Sequence, residues 1–342
     1  MRHLIIVALL GLLHSLAFAF EREDEKLFSV ENSRNQLRIL SNTDLEYFEP
    51  LIQAYQKRNP NIGVLYTVAS SKELFNAINN EQANYDVVIS SAMDLQMKLV
   101  NDGLAQPHNS NVAEQMPAWA RWRNLLFAFT QEPAVLLISR AGMDELQLPQ
   151  NRQELISLLR DNPDHFKGRI GTYDLRISGA GYLFATQDAR QSDMFWRLAE
   201  VMGALSPKLY CCSSEMIDGL QSGEIVLAYN VVGSYASAVL EHDRDGAIVP
   251  LSDYTHFMLR TALIPATAKQ PELGGSFIDF LIDAQGRRLI NEAAGLPPVD
   301  EVALAGSQHF RPITLGPGLL VYLDKIKRRR FLKEWTDAMV QP

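Results

Sequence analysis

Leu37-Arg38-Ile39-Leu40-Ser41-Asn42-Thr43-Asp44 is an apolar run of strand length that breaks into four small polar residues. Phe48, Leu51, Ile52 and Tyr55 then fall at helical spacing until Asn59-Pro60. The reading is strand, polar joint, helix: Ser41–Asp44 offers side-chain acceptors for the free N–H groups of a helix start, and Pro60 disfavours helical backbone at the residue before it. The unit recurs twice. Gly63–Val68 reads as a strand, and Ser70-Ser71 caps a helix bearing Leu74, Phe75 and Ile78. Tyr85–Ile89 reads as a third strand, and Ser90-Ser91 opens a helix through Leu95 and Leu99 that stops at Asp102-Gly103. Three consecutive strand–helix units predict an α/β fold built on a mostly parallel sheet. Ligands of such sheets bind outside the carboxyl ends of the strands, where helix N-termini present free N–H groups. The three joints therefore share one edge, which is half of a candidate cleft.

Farther along, Trp119–Phe129 and Val135–Ser139 read as two strands separated by Gln131-Glu132-Pro133 and passing from one lobe to another. A second α/β block follows. Gly168–Tyr173 reads as a strand and Ser178-Gly179-Ala180-Gly181-Tyr182 as a helix start. Ser213-Ser214 opens a helix that ends at Gln221–Glu224, and the strand Ile225–Tyr229 runs into Asn230–Tyr235. Phe257–Ile264 is a further strand; Pro265 then leads to one helix through Phe277, Phe280, Leu281 and Leu289, and Leu319–Met339 reads as one terminal helix. Residues 20–36 are charged and aperiodic and read as a loose segment. No internal repeat and no low-complexity linker is evident, so strands rather than a flexible tether are expected to join the lobes.

The 342 residues exceed the usual size of one domain, and the 47% hydrophobic and 21% charged content is that of a globular chain. A net charge of −8 opposes a general nucleic-acid binder, which needs a cationic face to displace counterions. Arg2 and His3, the apolar run Leu4–Leu13 and the small-x-small triplet Ala17-Phe18-Ala19 read as a secretory signal peptide cleaved after residue 19, which places the remaining chain outside the cytoplasm. The only cysteines, Cys211 and Cys212, are neighbours; they can close a vicinal disulfide or stay as thiols, and they staple no distant segments.

Catalytic motifs are missing. There is no G-x-S-x-G, no H-E-x-x-H and no Walker loop, and the seven histidines have no metal-ligand spacing, so neither an enzyme nor a metal site is expected. The segment Ser178–Tyr182 is the most informative. Its two glycines allow close backbone approach, and a serine at a helix start sets a hydroxyl and several N–H groups at the positive end of the dipole, which suits phosphate or carboxylate. The bland alternative is a glycine-rich turn with a capping serine. Tyr229, Asn230 and Tyr235 gather at a strand end, where phenols can line a cleft or ligate Fe(III), or Tyr229 can simply be core. Lys325–Arg330 reads as the solvated face of an amphipathic helix, with docking as the alternative.

In their order, Leu37–Thr43, Tyr85–Gln96, Ser178–Tyr182, Ser222-Gly223-Glu224 with Tyr229-Asn230-Val231, and Ala293-Ala294-Gly295-Leu296-Pro297-Pro298-Val299 resemble the type II periplasmic solute-binding proteins, nearest to the ferric-ion, hexose-phosphate and phosphoglycerate binders of ABC systems. The resemblance covers residues 36–300. It implies a two-lobed fold closing on its ligand by a hinge, with lobe 1 at 36–135 plus 255–300, lobe 2 at 140–250, and 301–342 as a helical segment packing on both. Asn42, Thr43, Ser70, Ser71, Ser90 and Ser91 would line the first lobe; Ser178, Gly179, Ala180, Gly181, Tyr182, Ser213, Tyr229 and Asn230 would line the second. Ferric members use adjacent tyrosines, whereas Tyr235 here is followed by Ala236. The resemblance thus implies a monomer without a cofactor that binds a small anion and hands it to an ABC permease. The alternatives are a ligand-sensing accessory docking on the periplasmic domain of a sensor kinase, and an Fe(III) carrier.

Overall fold

In the computed structural model the described residues are 20–31, 33–240 and 245–341, so the signal peptide read at residues 1–19 lies outside them. The chain first runs β1 (Asp24–Phe28), β2 (Asn35–Ser41), α1 (Leu45–Arg58), β3 (Ile62–Val68), α2 (Ser71–Asn79), β4 (Val87–Ser90) and α3 (Met93–Asn101). The short β5 (Ala105–Gln106), α4 (Asn111–Glu114) and β6 (Arg121–Trp122) lead to the long β7 (Leu126–Ser139). A second series follows: α5 (Arg152–Asp161), α6 (Pro163–Phe166), β8 (Ile170–Tyr173), α7 (Gly179–Gln191), α8 (Met194–Ala204), β9 (Lys208–Tyr210), α9 (Ser213–Gln221), β10 (Leu227–Val232), α10 (Gly233–Leu240) and β11 (Gly246–Val249). The chain then returns through β12 (Thr255–Pro265) and ends in α11 (Pro271–Ile282), α12 (Ala284–Glu292), α13 (Glu301–Ala305), β13 (Phe310–Pro312), a 3-10 segment (Pro317–Leu323) and α14 (Lys325–Met339).

The strands are ordered β1-β3-β2-β4-β12-β7-β10-β8-β9. Within this order β3-β2-β4 and β9-β8-β10 are parallel trios, each closed by an antiparallel neighbour: β12 beside β4, and β7 beside β10. The two halves therefore repeat one topology, second strand–first strand–third strand, although no repeat is visible in the sequence. Each half receives its fourth strand from a segment that also pairs with the other crossing strand, because β7 and β12 run antiparallel to one another. Buried hydrophobic side chains alternate along β2, where Leu37 and Ile39 face α1, α11 and the rings of Phe48 and Phe277, while Leu40 faces the apolar face of α2 and α3.

Several boundaries differ from those expected. Residues 20–36 are not loose throughout: Asp24–Phe28 adds antiparallel to β3, so the charged run forms the edge of the sheet. Gln131-Glu132-Pro133 does not interrupt a strand. β7 is continuous, and at Pro133 it changes neighbour, pairing with β12 up to Pro133 and with β10 from Ala134 on. The helix expected after Pro265 is two helices, broken at Asp283, whose carboxylate accepts the Gly286 N–H at 2.6 Å and caps α12. The terminal helix begins only at Lys325. Asp324 caps it by accepting the N–H groups of Ile326 and Lys327, and the preceding turn is 3-10. The 3-10 segment packs on α3 and α14 packs on α8, so the C-terminal segment touches both halves.

Candidate functional site

The carboxyl ends of β2, β3 and β4 deliver their polar joints to one point. The Asn42 amide donates to Ser71 Oγ at 2.8 Å and to Ser91 Oγ at 2.7 Å, while its carbonyl oxygen accepts the Ser91 N–H at 3.1 Å. One asparagine thus ties three strand–helix joints together. Ser70 acts as a cap, accepting the Glu73 N–H, and Ser90 accepts the Ala92 N–H at 3.1 Å. Thr43 is buried and its hydroxyl accepts from Arg260. The six residues expected on this side therefore lie along one edge, but only Asn42, Ser71 and Ser91 join hydroxyl to amide across the joints.

From the other half, the Ser178 hydroxyl accepts the Gly181 N–H at 3.1 Å and caps α7. Gly179 lies directly against the first half: a Cβ there would stand 2.9 Å from Ser71 Cβ and 3.2 Å from Ala92 Cβ. Gly181 is needed for a different reason, since its Cβ would fall 2.3 Å from Tyr173 Cβ beneath the helix. Ala180 is half-exposed beside them. Tyr182 points elsewhere; its hydroxyl donates to the Tyr322 carbonyl at 2.6 Å and so fixes the C-terminal segment. Ser213 is the first residue of α9 rather than its cap, which is Cys212. Its hydroxyl pairs with the Tyr173 hydroxyl at 2.6 Å and accepts the Val232 N–H at 3.0 Å.

Tyr229 and Asn230 carry their polar atoms into a buried network instead of offering them to the edge. Arg152 Nε donates to the Tyr229 hydroxyl at 2.8 Å, which donates to Asp188 at 2.9 Å, and the Asn230 amide donates to the same carboxylate oxygen at 2.8 Å. Arg152 also lies 3.5 Å over the Tyr254 ring. Burial raises the Tyr229 phenol well above its ordinary pKa. Asn230 has φ 63, and the β10–β7 register shifts between Ala228 and Val231, so the strand bulges at this residue.

Between the halves the floor is formed by the crossing strands. Arg260 of β12 donates through Nε to Glu132 of β7 at 3.0 Å, and Glu132 also accepts from Thr130 at 2.8 Å and from Ser234. Both ionic side chains are fully buried. The rings of Tyr47 and Tyr235, one from each half, meet at 4.9 Å. Of these residues only Tyr235 stands out by reading the sequence; the signal for Arg260 and Glu132 was that each is the single charged residue of a long, largely apolar strand.

Beside Gly179 opens a pocket of about 180 Å³ whose lining includes Lys72, Lys98, Arg176, Arg328 and Asp94. Lys98 pairs with Asp102 and Arg176 with Asp174, while Arg328 lies over the Tyr182 ring at 5.3 Å. Asp94 is buried, and burial pushes its carboxyl up to about 7, against the opposing pull of the Leu95 N–H and of Arg328.

Residues 37–296 match the family described as bacterial extracellular solute-binding protein. Among solved structures, the substrate-binding protein of an ABC transporter from Agrobacterium tumefaciens is 34% identical, superposes with a TM-score of 0.87, and is matched over 92% of this chain and 98% of its own. AfuA from Actinobacillus pleuropneumoniae, with fructose-6-phosphate bound, is 16% identical with a TM-score of 0.74, covering 91% of this chain and 100% of its own. Iron-bound HitA from Pseudomonas aeruginosa is likewise 16% identical, with a TM-score of 0.69 over 89% and 99%. These last two show the two-lobed fold alone. Comparison with curated proteins gave no match.

Proposed function

The chain belongs to the bacterial extracellular solute-binding proteins, and on that premise we propose that it closes its two lobes on a small organic anion and delivers it to the permease of an ABC uptake system. The observation that carries this reading is the apposition of Asn42, Ser71 and Ser91 with Ser178-Gly179: hydroxyls, an amide and the N-termini of α2, α3 and α7 converge on one joint. Helix N-termini and neutral donors hold a phosphate or carboxylate group without a buried countercharge. The cations Lys72 and Arg328 beside the joint favour the same sign. The lobes are taken as 36–135 with 255–300, and 140–250, with 301–342 strapped across both, after export to the periplasm through residues 1–19.

Against Fe(III) as the cargo stand the Tyr229 hydroxyl, engaged by Arg152 and Asp188, and Ala236 in place of a second adjacent tyrosine. The Agrobacterium relative is described as the substrate-binding protein of an ABC transporter, which supports delivery to a permease; AfuA with fructose-6-phosphate and iron-bound HitA are equally distant and share only the fold, so the choice of an anion rests on the joint itself.

The test is thermal melting of the mature protein against phosphate esters, di- and tricarboxylates and chelated Fe(III). Ligand at a hundredfold over its Kd adds about 2.7 kcal/mol of stability. A rise with one class of anion is the expected result. Stabilisation by Fe(III) alone would replace the anion with iron, and no shift with any of them would direct the search to binding on the periplasmic domain of a sensor kinase.

A further inference from the structure

Cys211 and Cys212 are the only cysteines of the chain. They follow β9 and lead into α9, with Cys212 as the N-cap residue. Their Sγ atoms lie 2.7 Å apart, inside the ~3.5–4.0 Å at which even unbonded carbon atoms settle. Cys211 is exposed and Cys212 half-buried, so reagents reach both. The Ser214 hydroxyl donates to Cys212 Sγ at 3.4 Å, and the Cys211 N–H is held by the Glu215 carboxylate at 3.2 Å. The Cys211 thiol first, and then Ser214 and the Glu215 N–H, draw the Cys212 thiol down to about 7 against the effect of burial. An accessible thiolate beside a second thiol is the arrangement of a nucleophile and its resolving partner.

We propose that Cys211 and Cys212 are a site of reversible oxidation, closing to a vicinal disulfide in the extracytoplasmic compartment. The oxidant is a protein or low-mass disulfide of that compartment. Cys212 thiolate attacks one of its sulfurs and expels the other as a thiolate; Cys211, losing its proton, then attacks Cys212 Sγ in the mixed disulfide and expels the second. Two thiols of the chain lose two electrons and two protons, and one external disulfide becomes two thiols. Consecutive Cα atoms are ~3.8 Å apart, below the ~4.4–6.8 Å that disulfides usually span, so the ring is strained and reopens readily. This separates it from a fold-stabilising staple.

The position gives the bond a consequence. Ser213, next in sequence, bonds the Tyr173 hydroxyl and the Val232 N–H, and Tyr173 packs beneath Gly181 in the first turn of α7. Closing the ring fixes the Cys211–Cys212 peptide, one residue before Ser213, and through Ser213 and Tyr173 it bears on the joint of Ser178-Gly179. The inference holds whichever solute the lobes enclose.

The experiment is alkylation of the mature protein purified without reductant, denatured in iodoacetamide and weighed intact. The expected species is a monomer lighter than the sequence by two hydrogens and carrying no label; after a monothiol reductant it carries two labels. Cys211→Ser and Cys212→Ser should each leave one thiol that takes one label or joins another chain, and far-ultraviolet circular dichroism checks that these variants are folded. Two labels without reductant, persisting after incubation with oxidised glutathione, would overturn the proposal. So would a disulfide-linked dimer of the unaltered chain, or a stoichiometric metal that blocks labelling until it is chelated.

Discussion

Gly179 is in contact with Ser71 across the two lobes, at a separation that leaves no room for a side chain: an added Cβ would stand 2.9 Å from the Ser71 Cβ. Cβ and Cγ atoms on Gly179 would push the first turn of α7 away from α2. Gly179→Leu is therefore expected to hold the lobes apart, widening the protein in small-angle scattering and lowering solute affinity at least tenfold, with the unfolding midpoint of the free protein little changed. Unaltered affinity would remove Gly179 from the closing surface.

Arg260→Met is expected to cost about 3–5 kcal/mol, because it strands the Glu132 carboxylate, fully buried between the crossing strands, without its cation. Urea unfolding measures it. The double variant Arg260→Met with Glu132→Gln should recover much of the loss, since no charge then remains buried alone.

Tyr229→Phe removes a hydroxyl that both accepts from Arg152 and donates to Asp188. The expected loss is about 1–3 kcal/mol of stability with solute affinity unchanged. A selective fall in affinity at constant stability would return Tyr229 to the ligand.

Asp94 supplies a pH dependence. Burial holds its carboxyl at about 7, well above its unfolded value of ~3.9. The folded state then keeps a proton that the unfolded chain releases. This contribution is complete below pH ~4 and is lost as the pH rises through 7, on the order of 4 kcal/mol across the window. Asp94→Asn should abolish that slope in unfolding experiments run from pH 4 to 8; an unchanged slope would place its source elsewhere.

The first half was legible because period and punctuation agree there: Leu37–Leu40, Gly63–Val68 and Tyr85–Ile89 are short apolar runs, each followed by a small polar joint and a helical stripe. The joints Asn42, Ser71, Ser91 and Ser178 were found for the same reason, as small polar residues between a strand and a helix are written locally, although only Ser178 among them caps its helix. What stayed hidden depends on partners far away in sequence. Gln131-Glu132-Pro133 resembles a loop until Arg260, remote in the chain, is seen to neutralise Glu132 within the strand. Tyr229 and Asn230 end a strand as a ligand group would, yet Arg152 and Asp188 take up their polar atoms. Asp24–Phe28 has no apolar pattern of its own, because an edge strand keeps its charges in water.

The antiparallel pair β7–β12 joins residues 127–133 to residues 257–262, and β12 also closes the first half by pairing with β4. The second half closes on β7, but the first half cannot complete its sheet until β12, ending at Pro265, is present. A chain appearing in order from its N-terminus therefore leaves the flank of β4, and the flank of β7 that faces β12, without a partner through more than a hundred further residues. Such distant pairing slows folding and leaves strand edges free to associate. The same two strands that bind the lobes into one hinge thus make the first half wait for the chain to return from the second.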